Sequence, residues 1–191
     1  MHRLFVAIRP PEEIRDRLID AMDDSPGLGW VKDDNLHLTL RFIGEIERPL
    51  ADDTAAALAG VRHPRFTLAI AGIGRFDRRN GGAGWAGVEP KAPVAALAAK
   101  IERACLAAGL PPERRAFHPH ITLARWNRGA SAAFADAFIA RNRAIATPPS
   151  RSIASSSTQA ASPATARIMK RSRSFRWFKR TGLSAPFLPA D

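Results

Sequence analysis

Two phrases, His37-Leu38-Thr39-Leu40 and His120-Ile121-Thr122-Leu123, repeat one pattern in two parts of the chain. In a β-strand successive side chains point to opposite faces, so a His and a Thr two positions apart share one face. The Leu and Ile side chains take the other face, which has to meet a core. The fold must therefore hold two strands by their apolar backs and leave two imidazoles and two hydroxyls on the outward side. If these strands lie near each other, the four polar groups share one cleft, a set suited to acid–base work on a phosphate.

With 191 residues the chain is long enough for one larger domain or two small lobes with a real core. The net charge of +11 is unevenly spread. Residues 1–149 carry 21 Lys and Arg against 17 Asp and Glu, while residues 150–191 carry 8 against 1. The body is thus mildly basic, enough to favour an anionic ligand without demanding one. The single cysteine, Cys105, excludes an internal disulfide framework and sits in a helical pattern that reads as a buried thiol. The apolar run Leu4–Ile8 ends at Arg9-Pro10-Pro11, too short for a secretory signal or a membrane span. A cytoplasmic protein without membrane contact is expected.

Residues 3–9 read as a strand, and Pro10-Pro11-Glu12-Glu13 opens a helix carrying Ile14, Leu18, Ile19 and Met22 at helical spacing. Gly27-Leu28-Gly29 breaks the chain before Trp30-Val31 and the first His strand, which Gly44 closes. A helix over about 50–60 precedes an alternating strand at Phe66–Ile70. A Gly-rich turn at 78–84 returns into Trp85-Ala86-Gly87-Val88. Val94, Leu97, Ile101, Cys105 and Leu106 predict a helix ending at Gly109, followed by the loop Pro111–Pro119 and the second His strand. Phe134, Phe138 and Ile139 mark one more helix. Two similar halves, each with one His-x-Thr strand, predict a two-lobed α+β fold with antiparallel sheets flanked by helices around a central cleft.

From about Thr147 the character changes: Ser150–Ser157 is nearly all Ser and Arg, and Lys170–Ser174 is a basic cluster. Such a segment cannot offset its ordering entropy by burial, so 150–191 is expected to be a low-complexity, disordered basic tail. The segment Ser152–Lys179 can be back-translated with permitted codons so that the frame one nucleotide upstream reads VDRFILYASSLSRNGADYEAIAEFPLV and then a stop. That peptide has a strand, a turn and a second strand, and it contains tyrosine, which the chain lacks. Its coherence over the whole segment points to a frameshift near residue 150, leaving residues 1–149 as the functional domain with altered closing strands.

The segments His37–Gly44 and Phe117–Arg125 resemble the paired signatures of the 2H phosphoesterase superfamily, and within it the RNA 2′,3′-cyclic phosphodiesterase, or 2′-5′ RNA ligase, family. Arg3–Ile8 with Pro10-Pro11, Trp30-Val31 and Trp85–Val88 support the resemblance, which covers residues 2 to about 145. It implies a metal-independent cyclic phosphodiesterase that opens RNA 2′,3′-cyclic phosphate ends to 2′-phosphomonoesters, with weak reverse ligation and no cofactor. The implied partner is an RNA or oligonucleotide with a cyclic end, met by a monomer. His37 is implied as the proton donor to the leaving 3′ oxygen and His120 as the base for water, although the sequence leaves exchange of these roles open.

Imidazole titrates near pH 6.5, so one His can be charged while the other is neutral. Thr39 and Thr122 can donate to the non-bridging oxygens. Arg41 has the parity of His37 in an unbroken strand, whereas Arg125 falls on the face opposite His120 and reaches phosphate only if a bulge re-aims it. Phe42 and Trp30 are candidates for stacking on a base, against a plainer place in the core. His2 and His63 read as structural. His118 and His120 look like half a metal site, yet no Cys or carboxylate cluster stands nearby in sequence to complete one. Gly72-Ile73-Gly74 and Gly81-Gly82 are turns, not phosphate loops. Two other functions fit the same residues: a 2H enzyme acting on small cyclic nucleotides, and a noncatalytic RNA-binding module using the tail.

Overall fold

The computed structural model describes residues 2–23, 25–127, 131–150, 153–155, 167–170 and 176–177. Strand β1 (His2–Ile8) runs through Pro10-Pro11 into helix α1 (Glu12–Ala21), whose first turn places Glu12 and Glu13 at the positive end of the helix dipole. After β2 (Gly29–Trp30) and a 3-10 turn (Asp33–Asn35) comes β3 (Leu38–Ile46), then α2 (Arg48–Ala59) with proline in its first turn. The single strand expected at Phe66–Ile70 is divided into β4 (His63–Phe66) and β5 (Ala69–Arg78). The break falls at Leu68, which is fully buried and whose carbonyl accepts a hydrogen bond from Ser150 N. A tight turn then leads to β6 (Gly81–Glu89), α3 (Lys91–Ala107), β7 (His120–Asn127) and α4 (Ser131–Asn142).

Three further strands fall inside the segment expected to be disordered: β8 (Ile153–Ser155), β9 (Arg167–Lys170) and β10 (Arg176–Trp177). The rest of 151–191 lies outside the described residues. β8 pairs with β4, and β9 pairs with the outer edge of β1. Before them, the chain from Ile145 to Ser150 follows β5, with Gly72 N donating to Ile145 O and Ile70 N to the Thr147 hydroxyl.

The main sheet is antiparallel, in the order β10-β9-β1-β3-β7-β6-β5, with β2 also on β7. Its ladders β1/β3 and β6/β7 hold seven residue pairs each, but β3 and β7 meet at one pair, Leu38 opposite Ile121. The two halves predicted from the sequence are therefore two wings of one continuous sheet joined at a narrow seam, an α+β fold. Ile14 and Leu18 of α1, Leu97 and Ile101 of α3, and Phe138 of α4 form one core with Val6, Leu38, Ile121 and Leu123. Each large aliphatic side chain buried this way contributes about 1.5–3 kcal/mol. Among the described residues, the opposite face carries a small buried cluster, Phe5 and Ala7 with Phe42 packed against them. The helices thus take one face and leave the other for chemistry.

Candidate active site

The seam brings the two His-x-Thr phrases together. Leu38 and Ile121 are both fully buried and face each other across antiparallel strands. One residue to either side of this pair, the antiparallel sense sets His37 across from Thr122 and Thr39 across from His120. All four side chains take the face opposite the core, and the two histidines are diagonal neighbours, about 7–8 Å apart at their Cα atoms in regular geometry. A local two-fold relation between the phrases thus follows from one cross-strand contact.

Each phrase is then interrupted by one extra residue. The β1/β3 register passes from Ala7 opposite Thr39 to Val6 opposite Arg41, so Leu40 is bulged. The β6/β7 register passes from Trp85 opposite Thr122 to Gly84 opposite Ala124, so Leu123 is bulged. A bulge reverses the alternation beyond it. Arg125 is thereby turned onto the face of His120 and Thr122, as the sequence required if it was to reach a phosphate. The corresponding position after the first bulge is Phe42, which packs on the site face against Phe5 and Ala7.

Arg41 is turned the other way, which corrects its expected place beside the phosphate. It is 7% exposed, against α3 and the following loop. Its Nε lies 2.5 Å from Glu102 Oε2, its Nη2 donates to Pro111 O at 2.5 Å, and its Nη1 donates to Phe42 O at 2.6 Å and Glu113 Oε2 at 3.2 Å. Trp30, opposite Ala124, joins the core and meets Phe138 edge-on at 4.8 Å, so its plainer reading holds. His63 bonds Pro64 O through Nδ1 and packs on Phe66.

The two imidazoles are held alike. His37 Nδ1 lies 2.6 Å from Asn35 O, and His120 Nδ1 lies 2.6 Å from His118 O. A carbonyl can only accept, so Nδ1 carries the proton in both rings and Nε2 is the basic nitrogen. Burial pushes the pKa of both below the usual imidazole value, and the hydrogen bonds to the two carbonyls partly oppose this. Arg125 adds to the depression of both rings, His120 to that of His37, and His118 to that of His120. One guanidinium therefore acts on both imidazoles.

Sequence reasoning missed the rings that back these histidines. Phe5 lies 4.9 Å from His37. Around His120 stand Phe76 at 4.9 Å, His118 at 6.0 Å and Trp85 at 6.2 Å, with Phe76 and Trp85 in mutual contact. Gly74 lies under the Trp85 indole, where a Cβ would come within 2.4 Å of the ring. A glycine opposite a tryptophan in an alternating hairpin was the available signal. Burial pushes the Cys105 thiol up to about 11, consistent with a packing role. Among the described residues, no group of three or more His, Cys, Asp or Glu could hold a metal ion, and no helix is long and apolar enough to cross a membrane.

The family model of the 2′-5′ RNA ligase superfamily matches residues 10–151, which include both phrases, the seam and both bulges. The chain belongs to this superfamily. Among curated members, the RNA 2′,3′-cyclic phosphodiesterase of Aeropyrum pernix is 40% identical over 97 residues, 50% of this chain and 55% of that protein. The protein of the same name from Geobacillus stearothermophilus is 37% identical over 130 residues, 63% of this chain and 41% of that protein. The chain thus spans about half the length of these relatives. Among superfamily structures, that of Escherichia coli LigT complexed with 3′-AMP is 26% identical with a TM-score of 0.64, covering 96% of this chain and 99% of that one. The fold is that of the LigT-like 2H phosphoesterases.

Proposed function

We propose that the chain hydrolyses RNA 2′,3′-cyclic phosphate ends to 2′-phosphomonoesters by general acid–base catalysis that needs no metal. The observation that carries this reading is the matched pair of histidines at the seam, each with Nδ1 on a carbonyl and Nε2 as the basic nitrogen, beside two threonines and one shared arginine. Water attacks phosphorus in line with the ribose 3′ oxygen. His120 Nε2 takes the proton of that water, and protonated His37 gives one to the leaving oxygen. Each transfer is worth roughly 10²–10⁴-fold. Thr39, Thr122 and Arg125 hold the non-bridging oxygens and balance the charge that grows on them. Phe42 is an apolar contact for the nucleotide. The names of the curated relatives agree with this substrate.

The test is incubation of the protein with an oligonucleotide bearing a 2′,3′-cyclic phosphate, in the presence of chelator. The expected product keeps the phosphate on the 2′ oxygen. An unopened ring, or product formed only after metal is restored, would overturn the reading.

We also propose that residues 1–149 are the functional unit and that the chain from about 150 is a frameshift product. In support, the superfamily match ends at residue 151 and the edge pairing along β5 runs to Ser150. Resequencing the gene across this point is expected to reveal a missing nucleotide; an unbroken frame that encodes the present tail would dismiss the idea.

A further inference from the structure

The two histidines share a tautomer but differ in what supports it. The carbonyl that holds His120 belongs to His118, whose ring packs against Phe76 and Trp85. The carbonyl that holds His37 belongs to Asn35, the last residue of the turn Asp33–Asn35, which contributes no buried residue to the core. Charge holds this turn instead. Asp33 Oδ2 accepts from Arg9 Nη2 at 2.9 Å, and Asp33 Oδ1 is ion-paired with Arg15 Nη1. Arg9 follows β1 and also donates to the Asp34 carbonyl, at 3.3 Å. Arg15 belongs to α1 and is fixed by its own bond from Nε to Pro10 O. The turn closes with Leu36 N donating to Asp33 O at 3.0 Å, and Leu36 is fully buried, so the strand after the turn is anchored while the turn itself relies on the carboxylate.

We infer that Asp33 is a positioning residue for His37: its carboxylate, bridged by Arg9 and Arg15, fixes the turn that presents the Asn35 carbonyl to Nδ1. Asp33 acts on His37 through the backbone of the turn, by way of the Asn35 carbonyl. Its catalytic consequence rests on the function proposed above, but its effect on the tautomer does not. Without the carboxylate the turn loosens and Nδ1 loses its fixed acceptor. The ring then samples both tautomers, and the imidazolium loses a hydrogen bond that favours it. His37 titrates at lower pH, while Arg125 and His120, the charged groups acting on it from β7, stay as they are. The ion pairs are partly open to water, the Asp33 side chain being 40% exposed, so the support weakens with salt.

The experiment is side-chain ¹⁵N NMR of the full chain, comparing wild type, Asp33→Asn and, as a charge-matched control, Asp20→Asn at an exposed carboxylate of α1. Wild type is expected to show the Nδ1–H form at both His37 and His120. Asp33→Asn is expected to move only His37 toward mixed tautomers, and the control to leave both unchanged. In turnover of the cyclic-phosphate oligonucleotide, Asp33→Asn is expected to lower kcat by up to about 10²-fold, as a displaced catalytic group does. KM is expected to hold, so that kcat and kcat/KM fall together, as for a group making no ground-state substrate contact. The kcat/KM limb that reports His37 moves to lower pH, a change that a merely structural loss would not produce. Should Asp33→Asn fail to fold, Arg9→Gln removes one of the two guanidiniums and is read in the same way. An unchanged His37 tautomer with an unchanged pH limb would overturn the inference. If wild type itself fails to open the ring, the function proposed above falls and the NMR comparison still decides the role of Asp33.

Discussion

Arg41 and Arg125 both depart from plain strand alternation because one extra residue precedes each. Parity in an unbroken strand favours Arg41 for the phosphate, and the bulge at Leu40 sends it into the helix layer against Glu102 and Glu113. The opposite outcome befalls Arg125, re-aimed by the bulge at Leu123. The His-x-Thr pattern was legible because it needs only local alternation, whereas a bulge is decided by the pairing of distant strands. Replacing Arg41 by Met is expected to cost about 3 kcal/mol in urea denaturation, the low end for breaking a buried pair, because its carboxylate partners keep some access to water. The imidazole titrations should hardly move. Arg125→Met removes a positive charge that depresses both rings, so both histidines are expected to titrate at higher pH in NMR. Unmoved titrations would show that the guanidinium does not act between them.

At the scale of elements, the helices over 12–21, 48–59 and 91–107 were readable from their apolar spacing, capping prolines and breaks. The seam was not, because nothing local says that Leu38 faces Ile121. The aromatic backing of His120 was equally hidden, since Phe76 and Trp85 come from β5 and β6 and reach His120 only when the hairpin pairs with β7. Gly74 is the residue that lets this assembly lie flat. Gly74→Ala puts a methyl group against the indole and is expected to cost about 1–3 kcal/mol, as overpacking does. It should also change tryptophan fluorescence and slow turnover through a displaced His120. A variant with native melting temperature and native rate would show that the ring has room to move.

Over the whole molecule, burial makes both histidines resist protonation in the folded state, with a consequence for stability. Their folded pKa values lie below the unfolded value near 6.5, so at intermediate pH the unfolded chain binds more protons. Stability is therefore fully present above about pH 6.5 and is lost as pH falls through the folded values. Denaturation curves across this range are expected to show that slope, flattened in His37→Gln and His120→Gln; an unchanged slope would mean that neither ring is held neutral. Total charge, by contrast, says little about the site, because the tail carries much of the excess while the cleft concentrates one shared arginine. The most direct measurement compares turnover of the cyclic-phosphate oligonucleotide by wild type, His37→Ala and His120→Ala in chelator. Each variant is expected to lose at least about 10²-fold in rate while still binding the oligonucleotide. A variant of either histidine that keeps the wild-type rate would contradict the paired acid and base.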